Sequence, residues 1–263
     1  MTAALVKSTS RRPLYIDGST RTVVRREGRA LVVEAAHRAP GYFPVRRLTR
    51  IVSRAAVDWS AEALALCMEH RLPIVFVDRE GSINGICTAC ARVETDFNSL
   101  IGALLDRPDW LARYEAICRS MQHHAVRTMY RVLRVPPRDL RPERARRILE
   151  GARAQTWSKE ARAVLDEEIA VFSSSVAASS LSEAGCDTTR ILASGGPDLV
   201  GDLAQIVRYD VELTILRIGR KRRVKDVSRP AIVSLLSRAE KSAVRVAEVW
   251  IHHVERSVRE ILV

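Results

Sequence analysis

Residues 186–210 read CDTTRILASGGPDLVGDLAQIVRYD, and this stretch decides how the larger part of the chain folds. A Ser-Gly-Gly-Pro loop at 194–197 runs straight into an amphipathic helix predicted over 198–219. Proline is tolerated in the first turn of a helix, where its missing N–H has no partner to lose, and the carboxylate of Asp198 suits the helix's positive end. Asp198 and Asp202 stand one turn apart and Gln205 follows a turn later, so the three share a face. Leu199, Leu203, Ile206 and Val207 form the apolar stripe that anchors the helix in a core. An acid beside a glycine loop at a helix start suits a divalent metal and a phosphodiester. The alternative reading makes Asp198 a cap and Asp202 a solvated surface acid.

The helical pattern extends outward from this stretch. Helices are predicted over 98–105, 108–135, 141–165, 167–181 and 229–262, broken by Pro136-Pro137, Gly185 and Gly195-Gly196-Pro197. Before residue 95 the period is two. Short strands are predicted at 14–17, 21–26, 30–34, 42–45 and 49–53, with turns at Asp17-Gly18, Glu27-Gly28 and Pro40-Gly41. Asp58 or Ser60 caps one helix carrying Leu64, Leu66, Cys67 and Met68, and strands follow at 72–77 and 83–86. The expected fold is α+β, with a small N-terminal β domain over 1–92 and a larger all-α domain over 93–263.

The 263 residues, 47% hydrophobic, contain no apolar run of membrane-spanning length, and the N-terminus has no charged-then-apolar signal pattern, so a cytoplasmic protein is expected. Five cysteines, odd in number and scattered, do not form a disulfide framework, and Cys87 and Cys90 lack the second pair that a zinc site needs. Lys+Arg is 43 against Asp+Glu 31, a net charge of +12, and only Lys7, Lys159, Lys221, Lys225 and Lys241 are lysines. Arginine's planar fork binds phosphate oxygens in pairs, so the excess points to a polyanionic partner. With 5% aromatic residues, backbone contact to a duplex fits better than base stacking on single strands.

Two basic clusters stand out. Arg220, Lys221, Arg222 and Arg223 follow the 198–219 helix, and Arg46, Arg47, Arg50 and Arg54 lie in the β domain. The first either tracks a DNA backbone or complements the helix dipole. A third group, Arg146, Arg147 and Arg153, lies within a turn of Glu150 and could hold phosphates beside that carboxylate; the alternative is a salt-bridged helix face. Gly151, inside the same helix, costs up to about 1 kcal/mol against alanine, which implies a close approach beside Glu150. His123-His124 and His252-His253 are adjacent pairs pointing about 100° apart on a helix, which read as surface or core residues rather than a metal site.

The strand Pro73-Ile74-Val75-Phe76-Val77, the helix Leu149-Glu150-Gly151-Ala152-Arg153 and the run from Gly201 through Asp202, Gln205 and Arg208 to Asp210 occur in an order that resembles one family. It is the DNA-integrating nuclease of the CRISPR adaptation complex, the first of the Cas proteins. The likeness covers nearly the whole chain and is nearest the branch that accompanies Cascade-type interference. The resemblance implies a homodimer that grips a small ferredoxin-like Cas partner, binds double-stranded DNA (prespacer and repeat array) and inserts short foreign DNA by strand transfer that depends on Mg2+ or Mn2+. It places the catalytic and metal-binding carboxylates at Glu150 and Asp202. The family's histidine ligand falls on Ala193, or on Ser194 if the loop is one residue short, and its second aspartate on Gln205, so both ligand positions are replaced. Asp198 is the one nearby acid able to restore the lost charge. The resemblance with these replacements leads to the expectation of an integrase subunit with impaired catalysis; the alternative is a catalytically inactive DNA-binding subunit.

Overall fold

The structure, a computed structural model, describes residues 11–18, 20–54, 57–89, 95–135, 141–222 and 229–263. The chain divides into two compact units, Met1–Ala89 and Cys90–Val263.

The first unit holds two four-stranded sheets. In one, β1 (Arg12–Ile16), β5 (Leu48–Arg54) and β7 (Ile74–Val77) run parallel, and β8 (Ile83–Cys87) closes the edge antiparallel to β7. In the other, β4 (Gly41–Pro44), β3 (Ala30–Ala35) and β2 (Thr22–Glu27) form an antiparallel meander, completed by β6 (Val57–Trp59) parallel to β2. The Gly28 turn supplies the positive φ of 59° that the β2–β3 hairpin needs. Helix α1 (Ala61–Glu69) starts at Ser60, whose hydroxyl accepts from the Ala63 N–H at 3.2 Å. Leu31, Ile51, Leu66, Cys67 and Ile74 close the core.

Two sequence expectations change here. Asp58 is not the cap, because β6 carries it, a strand too short to show a period. That strand is held by Trp59, whose indole N–H donates to Ser53 Oγ at 3.0 Å and whose ring meets Phe76 edge-on at 6.3 Å. The Arg46–Arg54 basic cluster also dissolves: Arg46 and Arg47 are exposed, whereas Arg50 and Arg54 are buried in β5. Alternation along β5 does not reveal that both faces of this central strand are covered.

The second unit is helical. It contains α2 (Asp96–Leu105), α3 (Trp110–Leu133), α4 (Pro142–Ala154), α5 (Lys159–Glu183), α6 (Thr188–Ala193), α7 (Leu199–Arg222) and α8 (Arg229–Leu262). Helix α5 lies at its centre, against α7 and α8, and buries alanines, serines and Val171, Phe172 and Val176. Its small side chains give little amphipathic contrast. The helix predicted over 141–165 is therefore two: α4 ends at Ala154, and Ser158 caps a new helix by accepting from the Ala161 N–H at 3.2 Å. Between them Trp157 turns inward onto Gly219 of α7, where an added Cβ would stand 2.3 Å from the indole. The predicted break near residue 166 is absent, and α5 runs through it.

Helix α6 was not legible as a separate element. Its N-cap is Asp187, whose side chain accepts from the Arg190 N–H at 3.0 Å. The helix is terminated by Gly195 at φ 75°, followed by Gly196, whose Cβ position lies 2.8 Å from the Ile191 carbonyl oxygen. Buried Asn98 of α2 ties this region down: it donates to the Gly185 carbonyl at 3.1 Å and accepts from the Asp187 N–H at 2.9 Å. Among the described residues, no helix is long and apolar enough to cross a membrane.

Replacing Asn98 by alanine removes the acceptor that the buried Asp187 N–H uses and leaves the Gly185 carbonyl only the Thr95 hydroxyl, at 3.3 Å, so a loss of about 1–3 kcal/mol of stability is expected in denaturant titration. Gly151 has open space where its Cβ would stand, contrary to the close approach expected beside Glu150. Gly151→Ala is accordingly expected to stabilise the protein by up to about 1 kcal/mol, read as a higher unfolding midpoint.

Candidate functional site

Helices α4, α5 and α7 enclose a cavity of about 470 Å³. Arg146, Glu150 and Arg153 reach it from one side of α4, spaced as i, i+4 and i+7. Asp166 comes from α5, and Gln205, Arg208, Tyr209 and Glu212 from α7. Glu150 and Gln205, two positions singled out from the sequence, thus face one space across two helices.

A closed ring of ion pairs forms part of this cavity. Arg153 Nη1 donates to Asp166 Oδ1 at 2.8 Å, and Arg208 Nη2 donates to the same oxygen at 2.9 Å. Arg208 Nε donates to Glu212 Oε1 at 2.6 Å, and Glu212 Oε2 lies 3.7 Å from Arg153 Nη1. Arg153 and Glu212 are the buried half, with side chains 7% and 8% exposed; Arg208 and Asp166 are the open half, at 40% and 46%. Burial alone would lower the pKa of Arg208, but hydrogen bonds and charge from Glu212 and Asp166 outweigh it and raise it. Arg153 is thus an internal cation, not a surface contact for phosphate. Arg146 and Arg147 are exposed. The side chains of Arg220, Lys221 and Arg222, and all of Arg223, lie outside the described residues.

Asp202 does not line the cavity. Its carboxylate Oδ2 accepts from the Tyr114 hydroxyl of α3 at 2.7 Å. Burial pushes the Asp202 pKa up, the Tyr114 hydrogen bond opposes this, and the charge of Asp198 adds to the rise. The neighbouring Cys118 thiol is pushed up to about 11, chiefly by burial. Asp198 precedes α7 and caps it: Oδ1 accepts from the Gly201 N–H at 3.0 Å, and its carbonyl accepts from the Asp202 N–H at 3.0 Å. Of the alternative reading made from the sequence, the cap therefore holds for Asp198, but Asp202 is half-buried rather than a solvated acid. Ala193 is exposed at the end of α6.

His124, His252 and His253 line a separate open cavity with Arg256 and Glu248. Burial, then the charge of Arg256, lowers the pKa of His253, and among the described residues no group of three or more His, Cys, Asp or Glu is disposed to hold a metal.

A family model described as CRISPR associated protein Cas1 matches residues 14–164, more than half of the chain. The chain belongs to the Cas1 family. This is the integrase and nuclease family of CRISPR adaptation, as the ordered motifs had implied. Among curated proteins no sequence matches it significantly. Solved structures similar in fold include a Cas1 protein from Thermotoga maritima, with 15% identity, a TM-score of 0.67 and coverage of 94% of this chain and 96% of that one. The TtCas1–DNA complex gives 15% identity, a TM-score of 0.53 and coverage of 95% and 92%. A casposase bound to integration product gives 12%, 0.57, and coverage of 88% and 82%.

Cas1 nucleases are metal-dependent, and the donors present here do not fit a resident divalent ion. In the cavity, Glu150 is the one acid without an arginine partner among the described residues, since Asp166 and Glu212 are committed to the ring. Gln205 offers a neutral carbonyl oxygen, Ala193 offers no donor atom, and one oxygen of Asp202 is taken by Tyr114.

Sequence reasoning missed Tyr114, Asp166 and Glu212. The Arg208–Glu212 pair was readable from its i, i+4 spacing. The contributions of α3 and α5 depend on tertiary contact and leave no local signal.

Because its folded-state pKa is raised, Asp202 holds a proton in the native state that the unfolded chain has lost only in the interval between the ordinary carboxylate pKa and the raised one. Its contribution to stability is therefore present at acid pH and declines as pH rises through the raised pKa. Asp202→Asn retains an acceptor for Tyr114, so it is expected to raise the thermal midpoint at neutral pH and to flatten the decline above the ordinary carboxylate range, measured by calorimetry across that interval.

Proposed function

We propose that this Cas1-family chain is a DNA-capturing subunit of a CRISPR adaptation complex whose own metal-dependent strand transfer is impaired. The observation that carries the reading is the difference in surroundings between the two family carboxylates. Glu150 opens into the cavity, while Asp202 is half-buried and bonded to Tyr114. Ala193 and Gln205, at the positions of the family's remaining ligands, supply no charge.

Capture of DNA draws support from the net charge of +12, and from two fold relatives whose structures contain a DNA and an integration product. Duplex DNA, as prespacer and as repeat array, is the proposed ligand, met in the cytoplasm. In this reading the β unit, with the 1–92 boundary read from the sequence, serves dimerisation, and the helical remainder, 93–263, carries the DNA site. A small ferredoxin-like Cas protein is the proposed partner, as in the branch that accompanies Cascade. The chain's own residues bind and orient the backbone through exposed Arg146 and Arg147.

A second reading, a working integrase, is favoured by Glu150 itself, which remains exposed and unpaired among the described residues. A half-site integration assay with Mg2+ or Mn2+, run beside a gel shift on the same DNA, separates the two. Binding without joining is expected. Joining that Glu150→Ala abolishes would establish the working integrase instead.

A further inference from the structure

The cavity between α4, α5 and α7 contains cations of its own. The ring of Arg153, Asp166, Arg208 and Glu212 is internally neutral, two guanidiniums against two carboxylates. Its inner half is buried, so those charges are matched inside the protein and not by an ion from solution. Arg208 donates through Nε and Nη2, which leaves Nη1 without a partner among the described residues on a side chain that lines the cavity and remains 40% exposed. Arg146, exposed on the same cavity, likewise has no acidic partner among the described residues. The Gln205 amide adds an N–H donor where the family carries an acid.

We infer that this cavity holds a DNA phosphate directly, through the guanidiniums of Arg146 and Arg208 and the amide of Gln205, with no divalent metal between protein and backbone. Guanidinium nitrogens match phosphate oxygens in spacing and charge, and charge-assisted hydrogen bonds of this kind are the stronger class. Glu150 then opposes binding: among the described residues its carboxylate is the one unpaired negative charge lining the cavity. This inverts the role that Glu150 has when a metal bridges it to the substrate. The inference rests on the proposed DNA capture and specifies how one phosphate is held.

The test is fluorescence anisotropy with a short DNA duplex, in EDTA and in millimolar Mg2+ at matched ionic strength, on the full chain and on Glu150→Gln and Arg146→Gln. Both side chains are exposed, so the variants are expected to fold, and a thermal melt checks this. The wild-type affinity is expected to be the same in both buffers. Glu150→Gln is expected to tighten binding roughly fivefold in both, because removing the opposing charge strengthens the nearby attraction. Arg146→Gln is expected to weaken binding and to lower the slope of log K against log salt by about 1. Calorimetric titration of the free protein with Mn2+ is expected to give no saturable binding. The inference is overturned if wild-type binding needs Mg2+ and Glu150→Gln weakens it, if Mn2+ binds stoichiometrically and Glu150→Gln removes that binding, or if neither variant alters DNA affinity. Absence of any DNA binding by the wild-type chain would instead overturn the proposed capture function together with this inference.

Discussion

Three helices of the second unit are joined at one place, where Arg153 of α4, Asp166 of α5 and Arg208 and Glu212 of α7 close an alternating ring of charge. A buried guanidinium is tolerable only when its charge is met, and Arg153 is met on both sides. Removing one member leaves an uncompensated charge inside the protein, which is far more damaging than losing a surface pair. The ring acts together with apolar packing of Ala145 and Leu149 of α4 against Val126, Met129 and Tyr130 of α3 and Leu213 of α7, and between them they set which side chains share the cavity. Glu150 is one turn before Arg153, and Gln205 is one turn before Arg208. Both therefore open into the same cavity.

The same economy of partners holds for the acids near the cavity and at the start of α7, which among the described residues do not gather around a common ion. Each is committed to a neighbour that the fold supplies: Asp166 and Glu212 to guanidiniums, Asp202 to Tyr114, and Asp198 to the backbone at the start of α7. Only Glu150 is left over in the cavity. Beside the Glu150 carboxylate, what the cavity offers is the exposed Arg146, the open side of Arg208 and the Gln205 amide, which are hydrogen-bond donors. Family membership and local chemistry thus carry different information: the first says which fold and process the chain descends from, the second what its present side chains can hold.

Much of the architecture was legible in the chain. The change of period near residue 95, the Pro-Ile-Val-Phe-Val strand, the Ser-Gly-Gly-Pro loop and the stripe of Leu199, Leu203, Ile206 and Val207 each report a local constraint, and the fold respects them all. The failures occur where local pattern is weak. Helix α5 is charge-rich over Lys159–Glu168 and mostly alanine and serine beyond Phe172, so it shows little contrast between faces and its start was misplaced. Strand β6 is only three residues long, too short for a period. Arg50, Arg54 and Arg153 look like surface cations by composition, but become internal once neighbours cover them.

The sequence by itself determined the α+β organisation and the family, because these depend on residue identity and on spacing along each element. Only the tertiary structure decided which acids remain available. Tyr114 and Asp202 are 88 residues apart in the chain and Asp166 and Arg208 are 42 apart, yet each pair is within hydrogen-bonding distance. Charge is neutralised by whatever lies within a few ångströms, and that distance is set by helix packing, which residue order alone does not encode.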